Sequence, residues 1–161
     1  MTLTQAKELA EIAGVVIALV TLVKGVVEYI KQGAQKRTEL FLKMRDRYDK
    51  FVGLCSLLAH RDSAAAENEI RRLPFDIKRE FLALYEEIAL MTNSGLIRRN
   101  VAHYVFGYHA IQCWKCDAFW EDPLFDRESP YWGLFRNFAE EMEAIEGSFN
   151  AKTTDFSSFK L

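Results

Sequence analysis

Ile12-Ala13-Gly14-Val15-Val16-Ile17-Ala18-Leu19-Val20-Thr21-Leu22-Val23 is a run of twelve residues without a charge. Twelve helical residues cover about 18 Å, while the hydrocarbon core of a bilayer is about 30 Å thick. Extended to Ile30, the stretch reaches nineteen residues, long enough to span, and takes in Lys24 and Glu28. Charges at that depth are costly and face a partner helix or a water-filled cavity. Lys7, Glu8 and Glu11 precede the run; Lys31, Lys36, Arg37, Lys43, Arg45, Arg47 and Lys50 follow it. That excess of cations places the C-terminal flank in the cytoplasm and the short N-terminus outside. A signal peptide fits less well, because the start is not basic and Lys24-Gly25-Val26-Val27-Glu28 is a poor cleavage site.

On a helical wheel, Lys7, Gly14, Thr21 and Glu28 repeat every seven residues, as do Glu11, Ala18, Gly25 and Gln32. Together they form one stripe of small and polar residues, opposite Ile12, Val16, Leu19, Val23, Val26, Val27 and Ile30. A lone lipid-facing helix has no use for such a stripe. Small residues four apart let helices approach closely, and Lys24 can neutralise Glu28 one turn on. The sequence therefore predicts a membrane helix that packs against copies of itself through Gly14, Ala18, Thr21, Lys24, Gly25 and Glu28, with room for a wet centre. Two alternatives stay open: an amphipathic helix in the core of a soluble bundle, and one lying in the membrane interface.

The chain has 161 residues, with 21 Lys+Arg against 23 Asp+Glu and a net charge of −2. That length buries a core without metal or disulfide staples, and a hydrophobic share of 50% argues against disorder. Three Pro and eight Gly are too few for a turn-rich sandwich. The charge balance removes the main argument for a general nucleic-acid binder. Three cysteines cannot pair evenly, which suits a reducing compartment.

The helical pattern continues through Phe41, Met44, Tyr48, Phe51, Val52, Cys55 and Leu58, so a continuous helix is expected to about His60. Asp62 or Ser63 can cap a short helix that Pro74 ends. Asp76 is the expected cap of the next, over Ile77 to about Thr92, with Phe81, Leu84, Tyr85, Ile88 and Met91 on its apolar face and Asn93-Ser94-Gly95 as its stop. A further helix is expected from about Arg99 to Ala118, with Val101, Tyr104, Val105, Tyr108, Ile111 and Trp114 or Lys115 at successive turns. Ser129-Pro130 starts a last helix that Gly147 closes. No strand pattern is visible. The fold class is all-α: a long N-terminal helix followed by a small helical bundle. The expected organisation is a transmembrane region over 1–31, a cytosolic helical domain over 32–147 and a tail over 148–161.

Two constellations could carry chemistry. Cys113-Trp114-Lys115-Cys116 is a C-x-x-C, and His109 shares its helix face. However, 109 and 116 lie about 10.5 Å apart along a helix, too far for one tetrahedral ion. No thioredoxin-like strand–helix setting accompanies the pair. No metal and no cofactor are expected, and packed cysteines are the plain alternative. The second is Arg98-Arg99-Asn100-Val101-Ala102-His103. It resembles the R-x(4–6)-H signature of HEPN-type ribonucleases, in which an Arg stabilises phosphorane charge and a His moves protons. Arg98 has the spacing but is followed by Arg99; Arg99 is followed by the favoured Asn100 but stands one residue too close to His103. The alternative is a surface Arg pair at a helix start with a partly buried His. Enzymatic activity is left open, with the balance against it.

The order of features resembles an uncharacterised family of bacterial and phage proteins with one N-terminal membrane helix, a basic juxtamembrane helix and a small helical cytosolic domain. The resemblance rests on Tyr29, Gln32, Arg37 and Leu42; on Phe81-Leu82-Ala83-Leu84-Tyr85-Glu86-Glu87-Ile88-Ala89 through Gly95-Leu96-Ile97; and on Tyr104-Val105-Phe106-Gly107 with Ile111 and Trp114. Tyr131-Trp132 and Phe135 also fit. The architecture is similar to the membrane accessory protein of RNA-targeting type VI-B CRISPR systems. That resemblance implies a single-pass protein of the bacterial inner membrane with a cytoplasmic C-terminal domain. It implies a ring of protomers that enhances antiviral defence by disturbing the membrane, with an RNA-guided effector as partner. Lys24 and Glu28 would then line or seal a pore. The other functions in view are the HEPN-like ribonuclease and a membrane-anchored scaffold without activity.

Overall fold

The computed structural model describes residues 3–122, 124–149 and 154–159, with side chains described for Gly14 and from Ile17 onward in those ranges, save Ser158. All regular elements among the described residues are helical, as the composition and spacing required. Helix α1 (Leu3–Asp49) runs for 47 residues. The chain divides between Glu39 and Leu40 into two compact units.

The first unit is the N-terminal part of α1 alone. Its large apolar side chains are in the open, from Val27 at 45% to Tyr29 at 79% exposed. Among the described residues no helix is long and apolar enough to cross a membrane. Ile12, Ala13, Val15 and Val16, the start of the uncharged run, lie outside the described side chains.

The second unit comprises the end of α1, then α2 (Val52–Ala59), α3 (Ala64–Arg72), α4 (Phe75–Asn93), α5 (Arg99–Ala102), a π-helical turn (His103–Gly107), α6 (Tyr108–Trp114), α7 (Asp117–Trp120) and α8 (Gly133–Ser148). The expected helix to His60 is interrupted at Lys50-Phe51. There the amides bond back three residues, to the carbonyls of Arg47 and Tyr48. The break turns Val52 outward, 70% exposed, and brings Leu54 inward beside Cys55 and Leu58. Ser63 caps α3 as expected, its hydroxyl accepting from the Ala66 amide at 3.2 Å. Helix α4 starts earlier than expected. Pro74 takes the cap position and Asp76 falls in the first turn, where its charge favours the helix dipole without a capping bond. Gly95 ends the α4 segment with φ +74, the one described residue in the left-handed region. Beyond Ser129-Pro130 comes a single 3-10 turn (Pro130–Trp132) and then α8, which runs one residue past Gly147.

The largest correction concerns the expected helix from Arg99 to Ala118. It is α5, the π turn and α6, and it stops at Trp114, with α7 starting afresh after Cys116. A π turn holds an extra residue and rotates the face that follows. Tyr104 and Tyr108 therefore stand exposed, at 62% and 48%, while Ala102, His103, Phe106 and Ala110 point inward.

These elements enclose an aromatic core. Tyr85 is its fully buried centre, edge-on to Phe135 at 5.6 Å and stacked at a tilt on Phe81 at 4.8 Å between centroids. Its hydroxyl donates to the Phe106 carbonyl at 3.0 Å, within the π turn. Burial of a phenol without such a partner would cost about 1–3 kcal/mol. Trp120 likewise donates to the Cys113 carbonyl at 3.0 Å, satisfying the end of α6.

Candidate functional site

On the first unit the residues expected at a helix–helix contact fall together. Ala18, Thr21 and Gly25, with Leu22, Val26 and Tyr29, line a shallow groove along α1. Gly14 and Gly25 have no neighbouring atom within 4 Å of where a Cβ would stand. Thr21 donates its hydroxyl to the Ile17 carbonyl at 2.8 Å, which satisfies it inside the helix and leaves an effectively apolar face. Lys24 and Glu28, expected to neutralise each other, form no ion pair among the described residues. Both remain exposed, so each charge is open to a group outside the chain.

The Arg/His motif lies at the start of α5. Arg98 is exposed, and Arg99 forms an ion pair with Glu141 of α8. His103 is 5% exposed; its Nε2 shares a 2.7 Å hydrogen bond with a Glu146 carboxylate oxygen, and Phe149 lies against the ring at 5.2 Å. Lys115 adds a third pair to α8, with Glu143. The motif thus fastens α5 and the π turn to α8. A phosphodiester would have to displace Glu146 and Phe149 to reach the imidazole.

The C-x-x-C pair is placed around a helix break. Cys113 is fully buried at the end of α6, and Cys116 is buried at the cap of α7. Burial pushes both thiols up, away from the reactive thiolate. Cys55 is free and buried as well. His109 turns instead to Tyr48, whose hydroxyl shares a 2.5 Å hydrogen bond with Nδ1. Among the described residues no three His, Cys, Asp or Glu side chains gather to hold a metal.

Two features escaped the sequence reading. One is this Tyr48–His109 pair, in which burial raises the phenol and lowers the imidazole. The other is Lys78, fully buried with no hydrogen-bond partner for its amine, which sits 5.6 Å from the Phe119 ring centre. Its position was legible: Lys78 stands three and seven residues before Phe81 and Tyr85, in phase with the buried face of α4. The charges at Asp76, Arg79 and Glu80 beside it mask that phase.

Fold and site together define an all-α protein in which a helical bundle with an aromatic core follows an uncovered apolar helix. No family model, no curated protein and no solved structure matches the chain.

Proposed function

We propose that this chain is a single-pass protein of the bacterial inner membrane that assembles with copies of itself through the N-terminal part of α1. One observation carries the proposal. Ile17, Leu19, Val20, Leu22, Val23, Val26, Val27, Tyr29 and Ile30 are all at least 45% exposed. Apart from Ile17 they spread over about half of the helix circumference, opposite the stripe of Thr21, Gly25 and Glu28, and an apolar face that wide is covered by protein or by a bilayer. Leaving even one such side chain in water forgoes about 1.5–3 kcal/mol. Lipid covers most of that surface, and the groove over Ala18, Thr21 and Gly25 takes a neighbouring helix. Lys24 and Glu28 then meet across copies or face a wet centre. The resemblance to the type VI-B accessory protein extends the proposal to a pore-forming or membrane-perturbing role in antiviral defence.

Membrane fractionation with carbonate extraction, followed by the mass of the detergent-extracted particle, tests this directly. The expected result is a carbonate-resistant oligomer that Ala18→Leu breaks into smaller species. A monomer that partitions with the soluble fraction overturns the proposal, and an unchanged mass in Ala18→Leu removes the groove as its interface. Potential-sensitive dye uptake on triggering tests the membrane-perturbing role.

A further inference from the structure

We infer that Lys31, Lys36 and Arg37 form a docking surface for anionic phospholipid headgroups, which rests on the membrane reading above and names the lipid it selects. The three cations follow Ile30, the last apolar residue of the exposed stretch, and no acid stands between Tyr29 and Thr38. Lys31 and Lys36 are exposed, and Arg37 is partly so. Among the described residues none of the three makes an ion pair or a side-chain hydrogen bond. The second unit is different: Arg47, Arg71, Arg99, Lys115, Arg127 and Arg136 each sit on a carboxylate. Lys43, Lys50 and Arg72 are unpaired there too, but they are interspersed with acids, whereas Lys31, Lys36 and Arg37 share an acid-free stretch where the apolar helix ends.

The geometry matches a headgroup layer. From Lys31 to Arg37 the helix rises about 9 Å. The polar layer on each side of a bilayer is roughly 5–8 Å deep. With Ile30 at the edge of the hydrocarbon, Lys31 lies within the headgroup layer, while Lys36 and Arg37 stand about 9 and 10.5 Å out along the axis and reach back to the phosphates with their long side chains. Each Lys or Arg so placed contributes about 5-fold to partitioning onto an anionic surface, so the three together give on the order of 100-fold. Nucleic acid is the weaker partner for this cluster, because the chain as a whole carries a net charge of −2 and the three cations adjoin an apolar helix.

Flotation of the purified full chain with two vesicle preparations tests the inference. One is pure phosphatidylcholine; the other is three parts phosphatidylcholine to one part phosphatidylglycerol. The expected result is partitioning tens of times stronger onto the second, lost in the triple variant Lys31→Gln, Lys36→Gln, Arg37→Gln, whose helical circular dichroism should be unchanged. Equal flotation on both vesicles overturns the headgroup preference and leaves the membrane reading intact. Flotation on the anionic vesicles alone, abolished by high salt in the wild type, supports the headgroup site and overturns the span. A short RNA that strips the protein from anionic but not neutral vesicles, at constant ionic strength, overturns lipid as the partner.

Discussion

Lys78 and His109 show how single side chains set the pH response of this fold. Burial lowers the Lys78 amine, so the folded chain loses that proton while the unfolded chain keeps it to about pH 10.4. The unfolded state then binds more protons, and stability rises with pH across that window. Lys78→Met should stabilise the protein at pH 7 by about 1–3 kcal/mol, with the gain shrinking towards pH 10. Urea unfolding at the two pH values measures it. His109 is lowered by burial too, so below about pH 6.5 the unfolded chain takes a proton that the fold resists. Stability should therefore fall between pH 7 and pH 5. His109→Gln, which can still bond Tyr48 but does not titrate, should lose less in thermal midpoint over that range. The cysteines were legible as packed residues from their number and type. The partners of His103 and His109 were not, because they come from α8 and α1, about forty and sixty residues away in the chain.

Elements were easier to read where a local signal ended them. Ser63, Pro74 and Gly95 marked their boundaries because a cap, a missing amide and a positive φ are written into single residues. The break at Lys50-Phe51 has no Pro or Gly, and only the packing of α2 fixes it. The π turn escaped for the same reason: its face is set by Tyr85 from α4 and by the close approach of α8. Gly107 permits that approach, since a Cβ there would stand 3.1 Å from His103 Cδ2 and 3.4 Å from Met142 Cβ. The Met142 atom is fixed to its backbone, and the His103 ring is clamped by Glu146. Gly107→Ala gains helix propensity but overpacks this seam, for a net loss of about 1 kcal/mol. Denaturant midpoints of the two proteins check it.

At the scale of the whole molecule, every buried hydrophobic residue of the core cluster lies beyond Leu40. The second unit should therefore fold without the first. A fragment covering 40–161 is expected to keep its helical circular dichroism and to unfold cooperatively, which thermal melting tests. The all-α class was legible from composition and spacing, whereas the reach of each unit depended on packing that no single stretch records. The ion pairs of the second unit have one further property. In the pairs that join distant segments, Arg47–Glu87, Arg71–Glu121, Arg99–Glu141 and Lys115–Glu143, the base precedes its acid. Residues 1–79 carry 14 Lys+Arg and 10 Asp+Glu, a net of +4; residues 80–161 carry 7 and 13, a net of −6. During synthesis the emerging chain thus carries a net positive charge from Lys36 onward, until its acidic half leaves the ribosome. Arg47, Arg71, Arg99 and Lys115 are attracted to an anionic surface before their carboxylates exist, and completing the fold withdraws these four while Lys31, Lys36 and Arg37 stay free.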